Sequence, residues 1–519
     1  MAVVVAVAYL GKAVACDWGL SGGQESVLLA IGNAGSLVGL YLFGAAADTA
    51  GRKPSLMASA LLQCAFGAAS AAAPNYGSLV FFRFMHGLAI AGALSALILL
   101  AEMLPPANRA LWSTVMQFLS VPAYLYEAGI GWATLREPNG WRWMVAALVL
   151  PAALLAIAML FVSESPFWLV TRGRYGEAEA VVHKIAQVNR WAGRSDLHLC
   201  FNADSASEDV ETAPSAAEGS CGGKDESAQD DSKEPAAAPS EVAAAEGAAG
   251  TTAAAASGSR AAKACKAATE AWRDTANGLK TLFSRRLLRT TVLLIITWAC
   301  SGFIYMGIVL LTPAIGGGDG TTPECLADGT ASWSNADFTA VMVTSVAEAP
   351  GMIVVMLLSD RIGRRWTLDV LFGASALGSI LLASKTWAFG WQLAILFVVR
   401  AGIAGVYACL YVFTLEVYPT HARNFGAAVA DGWGRIGGFA SPFAVVPFID
   451  QGAAWKVATI LASLCGAAIV CCLLLPVETM GRGLSRRATR TRSLVPRGSR
   501  ELPPDPAGNT SDPDKEAEG

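Results

Sequence analysis

The sequence predicts an all-α membrane protein of about eleven transmembrane helices arranged in two related halves. Of its 519 residues, 54% are hydrophobic and 15% are charged, whereas roughly a quarter of the residues of a soluble globular chain are charged. Apolar runs of about 20 residues, the length that crosses ~30 Å of hydrocarbon, recur along the chain. A set of charged motifs that occurs twice indicates the two halves.

Eleven apolar runs are predicted to be helices, because a backbone inside lipid must satisfy its own hydrogen bonds. They cover residues 24–47, 54–73, 79–101, 111–133, 142–163, 290–315, 337–358, 366–384, 388–413, 424–447 and 455–475. Lys and Arg cluster in the connections after the first, third, seventh and ninth runs and in the tail. The positive-inside rule places those segments in the cytoplasm. We expect a plasma-membrane protein that contacts the lipid bilayer and no nucleic acid.

The N-terminal segment is too short to cross a membrane, since residues 1–15 are apolar for only about ten positions before Lys12. We therefore expect an extracellular remnant there, with a first transmembrane helix missing upstream. A native eleven-helix protein is an alternative that stays open.

Most of the eleven cysteines lie in apolar runs and are interpreted as small buried residues. Cys16 and Cys325 fall in segments that are predicted to lie outside the cell. A disulfide between these two stays open as an alternative, although it is not the expected arrangement.

The chain divides into five predicted segments. They are an extracellular remnant (1–23), a five-helix half (24–163), a cytoplasmic loop (164–285), a six-helix half (286–476) and a disordered cytoplasmic tail (477–519). The loop begins with a predicted amphipathic helix within residues 174–190. Residues 203–262 are rich in Ala, Gly, Ser and acids and contain no aromatic residue, so they should be disordered.

Three charged motifs occur twice along the chain. The copies are Asp48, Gly51, Arg52 and Lys53 with Asp360, Gly363, Arg364 and Arg365; Glu102 and Arg109 with Glu416 and Arg423; and Glu164 with Glu478. The first set repeats after 312 positions and the other two after 314. Such a nearly constant offset predicts two homologous halves.

These fourteen residues are predicted to form a cytoplasmic gate. A single exposed ion pair contributes only about 0–1 kcal/mol, but a network can bias an equilibrium between two conformations. We expect the clusters to pair across the halves when a central cavity faces outward and to part when it faces inward. The alternative, in which the charges only orient the loops, explains the cations but not the paired acids.

The same motifs resemble the major facilitator superfamily and, within it, the organic cation/anion/zwitterion transporter family. The run GAAADTAGRK at 44–53 is similar to the superfamily loop between helices two and three. Five further motifs resemble the organic-ion family: RFMHG (83–87), SESPFWLVTRGR (163–174), TLEVYPTHARNFG (414–426), RIGG (435–438) and PVETMG (476–481). The resemblance covers about residues 16–190 and 285–485. It implies a major-facilitator-type two-half bundle that carries small organic ions.

Two positions depart from the family pattern. Phe167 stands where the family usually has Arg, and Val477 interrupts the usual Pro-Glu-Thr run. The segment CDWGL (16–20) looks like the end of the family's large extracellular loop, which agrees with a missing first helix.

Glu348 and Arg435 are the leading substrate-cavity candidates. A charge at mid-bilayer costs about 2.5–3.5 kcal/mol and persists where it is paired or faces an aqueous cavity. By resemblance, Glu348 falls on a cavity acid of cation and zwitterion carriers, and Arg435 falls where anion and zwitterion carriers have Arg. The pair predicts a zwitterion, or a substrate that bridges both charges. In the alternative, the two side chains simply neutralise each other.

Four further residues are predicted to line the cavity. Trp298 and Tyr305 lie seven positions apart and match a family aromatic pair, against which a cationic amine could rest. The alternative is that these rings are core or lipid-facing residues. Gln117 and Tyr124, also seven apart, could supply hydrogen bonds from the opposite wall.

Several other polar residues lie in apolar runs. Arg83 and Arg400 are expected to brace helices, and Glu127 is an intramembrane acid whose partner the sequence does not identify. Neither a nucleophile–base set nor a metal cluster nor a phosphate loop stands out in the sequence, so we expect neither an enzyme nor a cofactor.

The predicted function is transport of a small organic ion by alternating access, with a cation or zwitterion favoured and an organic anion exchanger less favoured. A zwitterion would need a coupled Na⁺ or H⁺, since the membrane potential acts only on net charge. The rival is a non-transporting or truncated transporter-like membrane protein.

Overall fold

The computed structural model describes most of the two halves. The described residues are 4–103, 115, 117–189, 280–285, 287–316, 323–384, 387–418 and 423–478. The predicted disordered segment 203–262, the tail from 479 onward and Arg109 lie outside them.

The described residues of both halves are helical. The first half contains α1 (Val4–Trp18), α2 (Gly22–Ala50), α3 (Arg52–Ala71), α4 (Tyr76–Ile90), α5 (Leu94–Met103), α6 (Ser120–Thr134), α7 (Gly140–Ala147) and α8 (Val149–Phe161). The loop that follows contributes α9 (Pro166–Thr171) and α10 (Tyr175–Val188). The second half contains α11 (Leu288–Gly316), α12 (Asn335–Val346), α13 (Glu348–Ile362), α14 (Arg364–Ala383), α15 (Phe389–Val417), α16 (Arg423–Asp450) and α17 (Ala454–Leu474).

Eight helical segments within the described residues are long and apolar enough to cross a membrane. They are Gly22–Ala50, Tyr76–Leu100, Gly140–Phe161, Leu288–Ile315, Asn335–Ile362, Arg364–Ala383, Phe389–Val417 and Ala454–Leu474. The three other predicted runs are 54–73, which corresponds to α3, 111–133, which corresponds to α6 and to residues that the structure does not describe, and 424–447, which corresponds to α16. The multi-helix membrane fold is thus confirmed, while the count of eleven stays a prediction.

Helices that begin at one end of the bundle carry polar N-caps. Ser21 accepts the amide of Gln24 at the start of α2, and Ser334 accepts the amide of Asp337 at the start of α12. The Gln24 and Asp337 side chains bond back to the cap amides, which satisfies backbone donors that a helix start leaves open. We call this end, where α1 ends and α2 begins, the outer end.

The N-terminal segment forms a packed helix, which differs from the expected remnant at 1–23. In α1, Tyr9, Leu10 and Val14 are buried, and Tyr9 packs edge-on against Trp333 at 5.3 Å. The charge that interrupts the apolar run is accommodated because Lys12 Nζ lies 3.8 Å from Asp450 Oδ1. A short apolar run can thus be buried against neighbouring helices without spanning a bilayer by itself.

Close helix packing holds α2 against α4. A Cβ atom on Gly35 would lie 2.0 Å from the carbonyl oxygen of Phe84, so only glycine permits this approach. Across the halves, α2 packs along α16, and α6 packs against α12. The two halves therefore meet along these two helix pairs, and α1 also contacts α11 of the second half.

An apolar cluster closes the outer end. Residues of α1 and α6 pack there with the segment 323–334, which we call the strap, and with the start of α12. Phe338 stacks on Trp132 with ring centroids 6.0 Å apart. Ser26 also donates a hydrogen bond to the carbonyl of Pro442 at 3.3 Å. These contacts join the first half to the second.

Cys16 and Cys325 form a disulfide at the outer end. Free cysteines were the expected state, and this expectation is wrong because α1 carries Cys16 directly to the strap. The bridge fits the predicted orientation, since disulfides persist on the oxidising side of a membrane.

Candidate functional site

A cavity of about 520 Å³ lies between the two halves. Its polar lining residues are Asn33, Ser36, Arg83, His86, Gln117, Ser120, Tyr124, Tyr305, Glu348, Tyr407, Tyr411, Asp431 and Arg435. The volume is within the range typical of small-molecule sites. Five of the six predicted cavity residues are therefore found in one wall or the other.

Trp298 is the exception, and its prediction as a lining residue is wrong. It is 0% exposed, and its indole N–H donates to Thr414 Oγ1 at 3.1 Å. Tyr407 and Tyr411 of α15 pack edge-on against its ring at 5.7 and 4.8 Å. Seven-residue spacing does place Trp298 and Tyr305 on one face of α11, but α15 covers the Trp298 end of that face.

Glu348 forms a buried ion pair on the second half's wall. It opens α13 and is 2% exposed, and its Oε1 lies 2.7 Å from Arg400 Nη2 and 3.0 Å from Arg400 Nε. Tyr305 donates its hydroxyl to the same oxygen at 2.9 Å. The guanidinium also lies 4.7 Å from the Tyr305 ring centroid. All three of these hydrogen bonds end on Oε1, and Glu348 is one of the residues that line the cavity.

Arg435 has a different partner from the one that the sequence suggested. The alternative in which it neutralises Glu348 is wrong, because its Nη2 lies 3.4 Å from Asp431 Oδ2, one helical turn earlier on α16. Tyr411 donates to the other oxygen of Asp431 at 2.9 Å. Its Nε is buried and has no hydrogen-bond partner among the described residues, but the Arg435 side chain as a whole is 32% exposed. This guanidinium therefore has donors to offer a ligand.

The first half contributes the opposite wall. The Tyr124 hydroxyl lies 3.3 Å from the Tyr305 hydroxyl, so the walls touch at this point. Gln117 and His86 line the same wall, and Arg83 is buried beside them. Glu127 is fully buried behind the wall, where its Oε2 accepts the amide of Ala6 at 3.0 Å. The cavity thus combines cations, acids and phenols from both halves.

The charged cluster of the first half is built around Arg52. Its Nη1 lies 2.6 Å from Asp48 Oδ1, and its Nη2 lies 3.4 Å from Glu102 Oε1. Glu164 accepts the backbone amides of Arg52 and Lys53, each at 3.1 Å. A carboxylate in that position caps the first turn of α3 and favours the positive end of the helix dipole.

The second half repeats this arrangement around Arg364. Its Nη1 lies 2.9 Å from Asp360 Oδ1, and its Nε lies 3.2 Å from Glu416 Oε2. Glu478 accepts the amides of Arg364 and Arg365 at 3.0 and 3.2 Å. The predicted repeat is therefore present in three dimensions as matching contacts.

Each cluster contains a tight backbone turn at a glycine, whose conformation other residues rarely adopt. Gly51 has φ 114° and ψ 161°, and Gly363 has φ 93° and ψ 159°. Each glycine ends one helix and precedes the next, so the acid before it and the two cations after it converge. Trp168 and Arg172 in the loop donate to the Asp48 carbonyl at 3.0 and 2.7 Å, which fixes the loop to the first turn.

Within the described residues, the ion pairs of each cluster join side chains of a single half, and ion pairs between the two clusters are absent. Arg109 lies outside the description, as does the side chain of Arg423. Cross-half contacts are instead found at the outer end, where Arg136 donates to Asn335 and Lys12 approaches Asp450. We call the two clusters, one around Arg52 and one around Arg364, the charged rim.

The sequence analysis did not identify four features of the cavity, namely the lining residues Asp431, Tyr407 and Tyr411 and the role of Arg400. Asp431 and Arg435 are four apart, as are Tyr407 and Tyr411, a spacing that places each pair on one helical face. That signal was available for both pairs. The pairing of Arg400 with Glu348 joins two different helices, and spacing along the chain carries no such signal.

Comparison with known proteins gives consistent results. The family model described as "Sugar (and other) transporter" matches residues 7–203 and 259–489. Organic cation/carnitine transporter 7 of Arabidopsis thaliana is 26% identical over 483 residues, covering 92% of this chain and 89% of that protein. Synaptic vesicle 2-related protein of Xenopus laevis is 26% identical over 512 residues, covering 96% and 79%.

A solved structure supports the fold. The inward open conformation of the xylose transporter XylE from E. coli matches with a TM-score of 0.58 at 15% identity, covering 93% of this chain and 97% of that one. Identity this low supports the shared architecture of the two chains and not a shared substrate.

Proposed function

This chain belongs to the sugar (and other) transporter family of the major facilitator superfamily, and on that premise we propose that it carries small zwitterionic organic ions by alternating access. Membership establishes a multi-pass membrane transporter and not an enzyme. The substrate class, the membrane and the mechanism are the proposal.

The state of Arg435 carries the substrate proposal. Its side chain is 32% exposed, and a guanidinium binds a carboxylate through two parallel hydrogen bonds. Asp431 takes up only part of this capacity, through one contact of 3.4 Å. A substrate carboxylate at Arg435 would accept hydrogen bonds from the N–H groups that Asp431 does not use.

Glu348 and the neighbouring phenols supply a site for a cationic group. Arg400 and Tyr305 bond to Oε1 of Glu348, which leaves Oε2 for a substrate ammonium. The rings of Tyr305 and Tyr407 lie 5.3 Å apart on the same wall, and aromatic faces attract organic cations. A ligand with a carboxylate and an ammonium matches both sites in one cavity.

The relative named an organic cation/carnitine transporter agrees with this choice. Carnitine has one quaternary ammonium and one carboxylate, so it is a suitable first probe. Because a zwitterion has no net charge, accumulation against a gradient would use a coupled Na⁺ or H⁺.

The charged rim is proposed to act as the gate. Each cluster forms its ion pairs within its own half, which is the arrangement that an inward-facing conformation requires. When the cavity opens outward, the halves approach at the rim and the acids of one cluster can meet the cations of the other. A few such exchanges shift the balance between the two conformations.

The test is uptake of a labelled panel into cells that express the chain. The panel contains carnitine, tetraethylammonium and p-aminohippurate, measured at two membrane potentials and with Na⁺ or a pH gradient removed in turn. Preferential carnitine uptake that loses its gradient when one ion is removed supports the proposal. If the chain is present at the cell surface and uptake of all three still equals that of cells with the empty vector, both before and after TCEP, the substrate proposal is wrong and the non-transporting alternative stands.

The membrane is tested separately. We propose the plasma membrane, whereas one relative is named as a synaptic vesicle protein. Surface biotinylation of intact cells should recover the chain. If it is recovered only from internal membranes, this part of the proposal is wrong and uptake must be measured in vesicles.

A further inference from the structure

The disulfide between Cys16 and Cys325 joins the two halves covalently. The two residues are 309 positions apart, on α1 of the first half and on the strap of the second. Cys325 is exposed at the outer end, and Cys16 is partly buried. A reagent in the outer solution can therefore reach the bridge.

On the first half, Cys16 is held in place by its surroundings. The next residue, Asp17, accepts the indole N–H of Trp141 at 3.0 Å, which ties the end of α1 to α7. The amide of Leu20 bonds to the carbonyl of Ala15 at 3.0 Å and closes the turn into α2. Cys16 must therefore move together with the first half.

On the second half, the strap is folded back on itself. Leu326 donates to Thr330 at 2.8 Å, and Ser332 donates to Glu324 at 2.8 Å, so Cys325 lies in a closed turn. The strap continues directly into α12 through the cap at Ser334. Cys325 is thus linked to the second half by a short and structured segment.

The strap also buries apolar surface against the first half. Ala331 and Trp333 are 5% and 7% exposed, and Trp333 packs against Tyr9 of α1. Opening the outer end must pull this surface away from α1. With the bridge intact, the strap cannot leave α1 unless its own turn unfolds.

We propose that the Cys16–Cys325 disulfide is a redox latch that holds the outer end closed. Oxidised, it restricts the chain to inward-facing conformations. Reduced, it lets the strap leave α1 and the cavity open outward. The inference rests on alternating access as proposed above, and it adds control of that cycle by thiols on the outer side. The uptake and turnover measurements are therefore made with the bridge intact and after TCEP, and transport is expected after TCEP.

The chemistry of release balances without any group from the protein. Two molecules of an outer-side thiol deliver two electrons and two protons to the bridge. The bond between the two sulfurs breaks, Cys16 and Cys325 become thiols, and the reductant is oxidised to its own disulfide. The impermeant phosphine TCEP does the same, with water supplying the two protons and the oxygen of the phosphine oxide.

The first experiment tests the bond between the halves. A protease site is inserted near residue 230, in the loop between the halves, and the expressed full-length protein is cut there. The two fragments should migrate together on a non-reducing gel and separate after TCEP. The C16S variant should separate without reductant, and C64S, which alters an unbridged cysteine of α3, should behave as the wild type. Fragments that separate without reductant in the wild type overturn the latch.

The second experiment tests the gate without a substrate. The substitution Asn33→Cys places a reporter on the cavity wall below the outer seal. Intact cells are treated with an impermeant maleimide, and modification of residue 33 is read by peptide mass spectrometry, so that thiols released elsewhere do not interfere. We expect at least tenfold faster labelling of the reporter when C16S and C325S are also present. TCEP should produce the same increase in the bridged protein and no change in the C16S/C325S background.

The outcomes separate the two proposals. Equal labelling with and without the bridge overturns the latch and leaves alternating access intact. In a further measurement the membranes are permeabilised, so that the maleimide also enters from the cytoplasmic side. If the reporter is labelled only after permeabilisation in every variant, the outer end never opens and alternating access is wrong as well.

Discussion

Glu348 and Arg400 form a buried pair in which one carboxylate oxygen lies 2.7 Å from Nη2 and 3.0 Å from Nε of the guanidinium. Both side chains are only 3% exposed. Two charges withdrawn from water in this way depend on each other, since removing one partner leaves the other buried and uncompensated. Arg400 is therefore a residue that positions Glu348 in the wall.

Arg400→Leu should destabilise the protein strongly, by about 3–5 kcal/mol, which is typical of breaking a buried pair. The measurement is thermal unfolding of the purified protein in detergent. The double variant E348L/R400L should recover much of the lost stability, because it removes both charges. A double variant that is as unstable as R400L would contradict the pairing.

Arg435→Asp should change which charge the cavity accepts. The substitution places two carboxylates, at 431 and 435, on one face of α16 and removes the cation proposed for the substrate carboxylate. Carnitine uptake should fall at least tenfold, and tetraethylammonium should be favoured relative to it. Trp298→Phe, which alters a ring behind the wall, is the matched control and should keep the wild-type preference. An unchanged ratio of the two substrates in R435D would overturn the assignment.

The paired substitution Arg52→Ala with Arg364→Ala should slow turnover while cavity binding is retained. Each arginine connects two acids within its cluster, so losing both removes the cations that would exchange partners at the rim. We expect turnover to fall about tenfold or more, a change of about 1.4 kcal/mol in the rate-limiting step. Labelled-substrate exchange in proteoliposomes measures turnover, and equilibrium binding in detergent measures the cavity.

Arg174→Ala serves as the control for that experiment. Arg174 pairs with Glu177 at 2.6 Å, but both side chains are at least half exposed and lie in the loop between the halves. Exposed pairs of this kind contribute little, so turnover should not change. If the control and the rim variant behave alike, the rim charges have no gating role.

The sequence predicted the rim better than the cavity, and the reason is physical. The rim motifs are local: Gly51 with its flanking acid and cations forms one turn, and its second copy at Gly363 identifies the turn as part of a repeat. Cavity partners come from different helices. Neither the pairing of Glu348 with Arg400 nor the covering of Trp298 by α15 follows from spacing along one helix.

The N-terminal helix illustrates the same limit. Hydropathy considers each segment by itself, and Lys12 interrupts the apolar run of α1, so the run was too short to be predicted as a transmembrane helix. In the structure, Asp450 lies near that charge and neighbouring helices cover the apolar face. The disulfide was left open for the same reason, because a bond over 309 positions depends on where α1 packs.

Gly51→Ala and Gly363→Ala should destabilise the protein by similar amounts, since the two glycines occupy equivalent turns. Both have positive φ with extended ψ, a region that is essentially restricted to glycine and costs other residues about 1–3 kcal/mol. A Cβ would also lie 2.4 Å from Glu164 Oε2 at residue 51 and 2.8 Å from Glu478 Cδ at residue 363, displacing each capping carboxylate. Gly44→Ala in α2 is the control, because a Cβ there meets nothing within 4 Å, and alanine in a helix interior stabilises by about 0.5–1 kcal/mol relative to glycine. Thermal unfolding should therefore shift down for both turn variants and not for the control, whereas a downward shift in only one turn would contradict the equivalence of the halves.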